Sequence, residues 1–355
     1  MKKIIIIKST SFNDVRINKY IKVYKEQGIK IQFIGWDRFK KNEVIAGEET
    51  TYLLKGFSSN RLLLILGTLI WIINLFFYLL LKTNKSNKIH VVNFDSGYPV
   101  YLINCFKKND YFYDIFDELA ISYNFNPFVK KTIQNIDRRI KDNSKIVIHV
   151  DKSRVDPKDK NYCIIPNVPF DFYNGNFSKK IFEPKIAITG YLQTNRGLES
   201  IFKYAQNSPK IQFHIYGRFP DLKDEKKFAS LENIYINNFI DQNSLFFLIK
   251  NFSFIMALYD PDIEINRKAA SNKLYDSLML GIPIITNNGL IMSQKVKDKE
   301  LGIIVDYQYN NSWSKINDEI TNLNKLYYYS QNCRKEFVKR GDFRYYVITN
   351  LLPLI

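Results

Sequence analysis

Short apolar runs recur along the whole chain, and amphipathic stretches separate them. Twelve of these runs have the length of a strand, six in each half of the chain, at residues 4–7, 29–35, 89–94, 111–115, 146–149, 162–165, 185–189, 212–216, 234–237, 254–258, 282–286 and 303–305. Runs as apolar as these are typical of parallel strands that are buried on both faces. The alternation therefore predicts an α/β fold in which mostly parallel sheets carry helices on both sides.

A segment bounded by prolines divides this pattern into two halves. Pro166-Asn-Val-Pro169 and the polar run at 171–180 lie between the sixth and seventh apolar runs, and such a composition marks a linker. The chain has 355 residues, which is more than one hydrophobic core usually serves. We therefore expect an N-terminal domain over residues 1–168 and a second domain over residues 169–335.

The chain is strongly basic, with a formal net charge of +17. Such an excess favours an anionic partner, which can be nucleic acid, an anionic membrane surface or a phosphorylated substrate. The sequence has no zinc-finger spacing, RNP signature or helix-turn-helix pattern, so no nucleic-acid partner is expected. The three cysteines, Cys105, Cys163 and Cys333, are far apart, which indicates neither a disulfide framework nor a metal site and fits a reducing cytosol.

Residues 62–81 form a long apolar segment between Arg61 and Lys82. By length and hydropathy the segment qualifies as a transmembrane helix. A crossing would, however, place the strands before it and the strands after it on opposite sides of the bilayer, where they cannot share a sheet. The favoured interpretation is a helix that packs on the N-terminal domain and exposes an apolar side to the membrane interface. The basic residues expected to meet anionic headgroups are Lys55, Arg61, Lys82, Lys85 and Lys88. A buried core helix and a true span are the alternatives.

Residues 271–286 combine a helix start, a helix stop and a buried strand. Ser271 or Asn272 can cap the helix N-terminus, and Gly281 ends the helix. Pro283 then opens a strand that is too apolar to be exposed.

Two charged residues of this helix suggest a ligand. Lys273 lies at the positive end of the helix dipole, where backbone N–H groups already favour phosphate. Asp276 lies about one turn further on, on roughly the same side. The pair predicts a site for a phosphate and a ribose. The alternative is an ordinary helix-to-strand unit of a doubly wound domain, in which Gly and Pro merely mark the end of the helix and the start of the strand.

This segment resembles the donor-binding segment of GT-B glycosyltransferases, in particular the retaining family 4 type that builds bacterial surface polysaccharides such as capsule and O-antigen. In that group a Ser/Pro-Asn-Lys-Leu-x-Glu/Asp helix is followed by Gly-x-Pro-Val/Ile-Ile. The resemblance implies two Rossmann-like domains that face a cleft, with a C-terminal helix, residues 336–355, that crosses back to the N-terminal domain. The residues that it assigns to the nucleotide-sugar donor are Asn272, Lys273, Leu274 and Asp276.

Two loops of the second half supply further donor-binding candidates. Gly190 ends the first strand of the second domain, and Arg196 follows in the same loop. Because open α/β sheets bind ligands at the carboxyl ends of their strands, this loop suits a diphosphate. Similar enzymes carry two basic residues here, and Tyr191 replaces the first. Tyr216-Gly217-Arg218 resembles the family's turn at the base or ribose pocket, where Gly217 allows close backbone approach.

The resemblance also implies residues that face the acceptor. Asp14 and Arg16 lie in the loop after the first strand, which looks like the Asp-Pro-Arg variant of family 4 members that lack a Gly-Gly loop. Asp117 and Glu118 belong to Tyr-Asp-Ile-Phe-Asp-Glu-Leu at 113–119, which is similar to the family's Tyr-Asp-x-His-Glu/Asp-Leu. The sequence has Phe and Asp where the family commonly has its histidine. The histidines themselves, which match no catalytic motif and are interpreted as structural, are His90, His149 and His214.

A second departure concerns the family's acidic pair, two Glu eight positions apart. Asp276 matches the second, but Lys268 stands at the position of the first. Asp260, Asp262 and Glu264 lie in the preceding loop, and the sequence leaves open which of them supplies the carboxylate. The catalytic candidates are Asp117, Arg196, Glu264 and Lys273.

The expected chemistry is electrostatic. Arg196 and Lys273 would stabilise the departing diphosphate, and Asp276 would accept hydrogen bonds from ribose hydroxyls. Because two cations can serve a diphosphate without a metal, and the Asp-x-Asp at 260–262 already belongs to the carboxylate loop, no metal and no other cofactor is predicted.

These observations lead to one hypothesis and two alternatives. The leading hypothesis is a glycosyltransferase that moves a sugar, by family likeness with retention, from a UDP-, GDP- or dTDP-sugar to a lipid-linked or growing polysaccharide acceptor. We expect it to be peripheral on the cytoplasmic face of the cell membrane. One alternative is a nucleotide-sugar epimerase on the same fold, which needs no membrane helix. The other is a catalytically silent scaffold in polysaccharide assembly, which Lys268 and the missing histidine favour.

Overall fold

The chain forms two compact α/β units. The computed structural model describes residues 3–83, 88–123, 125–178, 180–267, 271–308 and 313–355. Unit 1 comprises the chain up to Pro166 together with Phe343–Ile355, and unit 2 comprises Asn167–Asp342.

Unit 1 is built on a parallel sheet. Its strands are β1 (Lys3–Lys8), β2 (Lys30–Asp37), β3 (Glu49–Lys55), β4 (Lys88–Val92), β5 (Tyr111–Ile115), β6 (Ile146–His149) and β7 (Tyr162–Ile164). Its helices before the linker are α1 (Val15–Glu26), α2 (Arg61–Lys82), α3 (Phe94–Lys107), α4 (Leu119–Ser122) and α5 (Pro127–Asn143). The sheet order is β3-β2-β1-β4-β5-β6-β7, and every pairing is parallel.

Unit 2 repeats this plan. Its strands are β8 (Glu183–Tyr191), β9 (Gln212–Arg218), β10 (Ile234–Asn237), β11 (Phe252–Ala257), β12 (Ile284–Asn287) and β13 (Gly302–Val305). Its helices are α6 (Leu198–Gln206), α7 (Leu222–Ala229), α8 (Gln242–Ile249), α9 (Glu264–Arg267), α10 (Asn272–Leu280), α11 (Ile291–Asp298), α12 (Trp313–Thr321) and α13 (Leu323–Arg340). The order β10-β9-β8-β11-β12-β13 is again parallel throughout.

In each sheet the first three strands are added in succession toward one edge, and the later strands are added in succession toward the other edge. The order therefore reverses between β1 and β4 in unit 1 and between β8 and β11 in unit 2. At such a switch point the loops at the carboxyl ends of the two strands leave in opposite directions, and the crevice between them is where α/β sheets bind ligands.

The prediction of twelve parallel strands is confirmed, but β3 was missed. Glu49–Lys55 contains no fully buried residue and lies at the edge of the sheet. An edge strand needs no continuous apolar run, because one side of its backbone and much of its side-chain surface remain solvated.

The end of the chain belongs to unit 1. α13 stays in unit 2, where it packs against α10, and ends at Arg340. From Phe343 onward the chain forms α14 (Phe343–Tyr346) and two further short turns. Arg344 pairs with Glu26 at 2.7 Å, and the Phe343 ring contacts Tyr20 edge-on. The return to unit 1 thus begins at Phe343, later than residue 336, because the packing on α10 keeps α13 in unit 2.

The apolar segment at 62–81 is a helix with two different faces. On α2 the side chains of Trp71, Leu75 and Leu79 are fully buried in the core of unit 1, and Gly67 lies so close to Trp36 that an added Cβ would be 2.4 Å from its ring. The exposed large apolar side chains of α2 are Leu62, Ile65, Leu66, Leu69, Ile73, Phe77, Leu80 and Leu81.

Among the described residues α2 is the one helix that is long and apolar enough to cross a membrane. It connects β3 to β4, and both strands belong to the same sheet. A helix that joins two strands of one sheet and packs on that unit does not carry the chain across a bilayer. Its eight exposed apolar side chains also distinguish it from a buried core helix.

Candidate functional site

The carboxyl ends of β8 and β9, beside the switch point of unit 2, bring two glycines together. Gly190, near the end of β8, has φ of +92°, and its register partner on β9 is Gly217. A Cβ on Gly217 would lie 1.8 Å from the carbonyl oxygen of Gly190, so only glycine fits there. The carboxyl ends of β8 and β9 therefore present bare backbone, which a ligand can approach closely.

The N-terminus of α10 lies next to this backbone. Of the two residues that the sequence offered as N-cap, Ser271 takes the position, and Gly281 ends the helix in the left-handed conformation as predicted. A Cβ on Gly190 would be 3.8 Å from the Nζ atom of Lys273. Lys273 is half-buried, and the Ser271 side chain makes no capping hydrogen bond. An anion at this position would meet both the ammonium group and the positive end of the helix.

Arg196 lies in a short 3₁₀ turn that is held by the neighbouring loops. The carbonyl of Asn195 accepts a hydrogen bond from the Asp260 N–H at 3.1 Å, and the Tyr307 hydroxyl donates to the Thr194 carbonyl at 2.8 Å. Gly197 has φ of +74° and packs on Leu258. The turn that carries Arg196 is thus fixed against the end of β11.

One tyrosine links the two cations. The ring centroid of Tyr259 is 4.6 Å from Cζ of Arg196 and 5.6 Å from Nζ of Lys273. Each cation–π contact contributes about 0.5–2 kcal/mol, more when water is excluded. Within the described part of the chain neither cation has a carboxylate within 4 Å, and the ion pairs of unit 2 involve other basic residues. The structure therefore brings Arg196 and Lys273 together and leaves their charge uncompensated by carboxylates.

The phenol of Tyr259 responds to this charge. The ring is 3% exposed, and burial alone would raise its pKa. The nearby charges of Lys273 and Arg196 and the hydrogen bond with Ser271 outweigh burial and hold the pKa below its ordinary value of 10.0. The lowered pKa of Tyr259 therefore reflects the positive charge that Lys273 and Arg196 bring to the switch point.

The other predicted donor-binding residues of α10 differ in their surroundings. Asp276 is half-buried and accepts a hydrogen bond from Nε2 of Gln242 on α8 at 3.3 Å. Asn272 is exposed in the first turn. Leu274 is buried in the packing of α10 and offers a ligand no polar group.

The carboxylates of the loop after β11 are not equivalent. Asp260 is half-buried, and its backbone is bonded to the turn of Arg196, whereas Asp262 and Glu264 are exposed. The buried Asn266 reinforces this arrangement, because its amide donates to the carbonyls of Asn195 and Asp260 at 3.3 and 3.2 Å. Lys268, the departure from the family's acidic pair, lies outside the described residues.

The predicted acceptor-side residues of unit 1 fall into two groups. Asp14 caps α1 through hydrogen bonds from the N–H groups of Arg16 and Ile17, and its other oxygen is 2.6 Å from Nζ of Lys8. Burial on its own raises the pKa of Asp14, but Lys8 and these hydrogen bonds hold it below its ordinary value. Asp117 is exposed beyond the end of β5, and Glu118 is half-buried at the start of α4.

Arg16 was expected in a loop facing the acceptor, but it lies in the first turn of α1 and is 3% exposed. Its guanidinium pairs with the buried Asp114 at 3.2 Å and donates to the carbonyl of Ile165 at 2.8 Å. His90 completes this network at 3.3 Å from Asp114. Because loss of one partner of a buried ion pair costs about 3–5 kcal/mol, Arg16 serves the stability of unit 1.

The histidines lie in structural surroundings. The hydroxyl of Tyr24 is 3.0 Å from Nδ1 of His90, which is fully buried. His149 is 2.8 Å from Asp159, and His214 stacks on Tyr235 with 4.6 Å between ring centroids. Among the described residues no three His, Cys, Asp or Glu side chains come together in a group that could hold a metal ion.

Tyr259 was not among the site residues predicted from the sequence. The signal was present, since Tyr259 follows the predicted strand at 254–258 and polar residues just after buried strands lie at the ligand edge of an α/β sheet. Asn287, which is hydrogen-bonded to the backbone of Tyr259, likewise follows the predicted strand at 282–286.

No family model matches the chain, and no curated protein matches it by sequence. Solved structures match it over nearly its whole length. A sucrose-phosphate synthase from Thermosynechococcus elongatus is 12% identical and has a TM-score of 0.70, with 98% of this chain and 97% of the other covered. A structure of trehalose-6-phosphate from E. coli bound with UDP-2-fluoro glucose is 9% identical and has a TM-score of 0.67, with 97% of each chain covered.

A trehalose-6-phosphate synthase studied with bisubstrate glycomimetics for glycosyltransfer with retention is 10% identical and has a TM-score of 0.67, with coverage of 97% and 96%. At such low identity these likenesses show the fold alone. The chain has the GT-B fold, which confirms the fold predicted from the sequence.

Proposed function

We propose that this protein is a glycosyltransferase that moves a sugar from a nucleoside diphosphate sugar to an acceptor. The observation that carries the proposal is the convergence of Arg196 and Lys273 at the switch point of unit 2, beside the bare backbone of Gly190 and Gly217. Two cations without carboxylate partners match the charge of a diphosphate. They also lie at the edge of the sheet where α/β domains bind nucleotides.

The chemistry that follows is stabilisation of the leaving group. When the bond between the sugar and the diphosphate breaks, negative charge develops on the departing oxygen. Arg196 and Lys273 stabilise that charge, and the N-terminus of α10 adds its dipole. Asp276, beside Gln242, accepts hydrogen bonds from the ribose hydroxyls. Because the two cations carry the charge stabilisation, we propose that transfer needs no metal ion and no other cofactor.

Two similar solved structures bear on the donor nucleotide and the stereochemistry. The E. coli structure with a similar fold binds UDP-2-fluoro glucose, which favours UDP among UDP, GDP and dTDP. The fold is shared with a trehalose-6-phosphate synthase described for transfer with retention, so we propose retention here. The Ser271-Asn-Lys-Leu-Tyr-Asp segment supports the finer assignment to family 4 enzymes of capsule or O-antigen synthesis.

Our proposals for the acceptor and the location are supported by α2. Its exposed face is apolar along the helix, and Arg61 and Lys82 stand at its two ends. Lys107 on α3 adds charge beside the C-terminal end and donates to the carbonyl of Thr83 at 2.9 Å. Such a combination suits a helix lying in the interface of an anionic membrane. We therefore propose a peripheral protein on the cytoplasmic face of the membrane, with a lipid-linked or growing polysaccharide acceptor.

The donor site is tested with Lys273→Ala and Asp276→Ala. Each variant removes a charge-assisted hydrogen bond worth about 1.5–3 kcal/mol, so turnover or donor affinity should fall about ten- to a hundredfold. Lys223→Ala is the matched control, because Lys223 is an exposed lysine at the start of α7. Wild-type transfer and donor affinity in both site variants would overturn the assignment.

The same assays separate the alternatives. Transfer to an acceptor, or slow hydrolysis of the donor by purified protein, excludes a silent scaffold. Conversion of the free nucleotide-sugar into its epimer without an acceptor would instead identify an epimerase.

A further inference from the structure

We infer that Tyr259 is a positioning residue that holds Arg196 and Lys273 in the arrangement that receives the donor diphosphate. This inference rests on the proposed function. It concerns how two long basic side chains, one on a 3₁₀ turn and one on the first turn of α10, stay together before the ligand arrives.

Tyr259 is itself fixed at both ends. Its backbone N–H donates to Oδ1 of Asn287 at 2.8 Å, and its carbonyl accepts from Nδ2 of the same asparagine at 3.0 Å. Asn287 is fully buried at the end of β12. At the other end the Tyr259 hydroxyl is 2.8 Å from Oγ of Ser271. The ring is therefore tied to β11, β12 and the start of α10.

The ring attracts both cations without neutralising them. Arg196 and Lys273 repel each other, and a carboxylate between them would remove the repulsion but would also compete with the diphosphate. An aromatic face supplies attraction through its quadrupole and carries no net charge. The distances of 4.6 and 5.6 Å to the ring centroid place both groups within reach of this interaction. The full positive charge of the pair remains available to an anion.

The hydroxyl has a second effect on the same site. Ser271 is the N-cap of α10, yet its side chain does not cap the helix and is instead bonded to Tyr259. The Ser271 side chain therefore caps no N–H group of the first turn, although the Ser271 carbonyl accepts a hydrogen bond from the Leu274 N–H at 3.1 Å. The phenol thereby helps to keep the helix N-terminus, as well as the two side chains, ready for phosphate oxygens.

The experiment measures binding of UDP, GDP, dTDP and inorganic pyrophosphate to the full-length protein by titration calorimetry. We expect Tyr259→Leu to weaken binding about tenfold or more, which corresponds to about 1.4 kcal/mol. Tyr259→Phe keeps the ring and loses only the hold of the hydroxyl on Ser271, so its affinity should fall by no more than about threefold, which is less than 0.7 kcal/mol. Lys223→Ala should bind as the wild type does. Equal affinity of Tyr259→Leu and wild type would overturn the inference and leave the proposed function standing.

A second series avoids the loss of volume, which could unfold the leucine variant. Phenylalanines with increasing numbers of ring fluorines at position 259 keep the shape of the ring and weaken its quadrupole stepwise. Affinity for the diphosphates should fall with each step, whereas a purely structural residue would give a flat series. A flat series would overturn the inference. If the wild type binds neither pyrophosphate nor any of the three nucleotides, the proposed function fails and the inference fails with it.

Discussion

Single side chains in this protein owe their properties to partners that are distant in sequence. Arg196 and Lys273 meet at Tyr259, and Arg16 is buried against Asp114. Arg16 and Arg196 each follow the first strand of their unit, but Arg16 stabilises a core and Arg196 lies at the edge where α/β sheets bind ligands. The difference arises from what surrounds each side chain.

His149 gives a prediction at this scale. Burial lowers its pKa below the ordinary value of 6.5, and the attraction of Asp159 offsets burial only in part. A lowered pKa in the folded state means that the unfolded chain takes up the proton first, so stability is full above pH 6.5 and declines as the pH falls below it. The midpoint of urea unfolding should therefore decrease from pH 7.5 to pH 5.5, and His149→Gln should flatten this dependence.

His214, whose pKa burial also lowers, acts in the same direction. The double variant with His214→Gln should consequently be flatter than either single variant. If the urea midpoint of His149→Gln depended on pH as steeply as that of the wild type, the assignment of the pH dependence to His149 would be wrong.

At the scale of elements, the two proposals depend on where the N-terminus of α10 lies and on which face of α2 is exposed. α10 begins at a switch point, so its N-terminus and Lys273 lie at the edge that binds ligands. α2 buries one stripe and exposes the other, and the exposed stripe is the feature that the membrane proposal depends on.

The α2 proposal is tested with the triple variant Leu69→Ser, Ile73→Ser and Phe77→Ser. These side chains are 54–55% exposed and lie on one face, away from Trp71 and Leu75. If each loses about 1 kcal/mol or more of burial in the interface, binding should fall about a hundredfold. The measurement is sedimentation with vesicles that contain anionic phospholipid.

The matched control is Phe128→Ser, which removes an aromatic side chain that is 80% exposed on α5. Thermal unfolding verifies that the triple variant is folded. Vesicle binding that is unaffected by the triple variant would rule out α2 as the contact.

At the scale of the whole molecule, the proposed binding of a nucleotide-sugar can be measured as a gain in the stability of the folded protein. A ligand that binds only the folded state at a hundred times its Kd stabilises that state by about 2.7 kcal/mol. We expect a thermal shift with one of a UDP-, GDP- or dTDP-sugar, undiminished by EDTA and reduced in Lys273→Ala. A shift that requires Mg²⁺ or Mn²⁺ would contradict metal independence, and no shift with any of the three would contradict the donor site.

The sequence by itself determined the two parallel sheets, the linker near Pro166 and the helix-to-strand unit from Ser271 to Asn287. These features depend on local periodicity and on Gly and Pro, which act over a few neighbouring residues. Only the tertiary structure decided the edge position of β3, the two faces of α2, the burial of Arg16 and the meeting of two cations at Tyr259. Each of these depends on contacts between residues far apart in the chain, and local patterns do not specify which distant partner a side chain will meet.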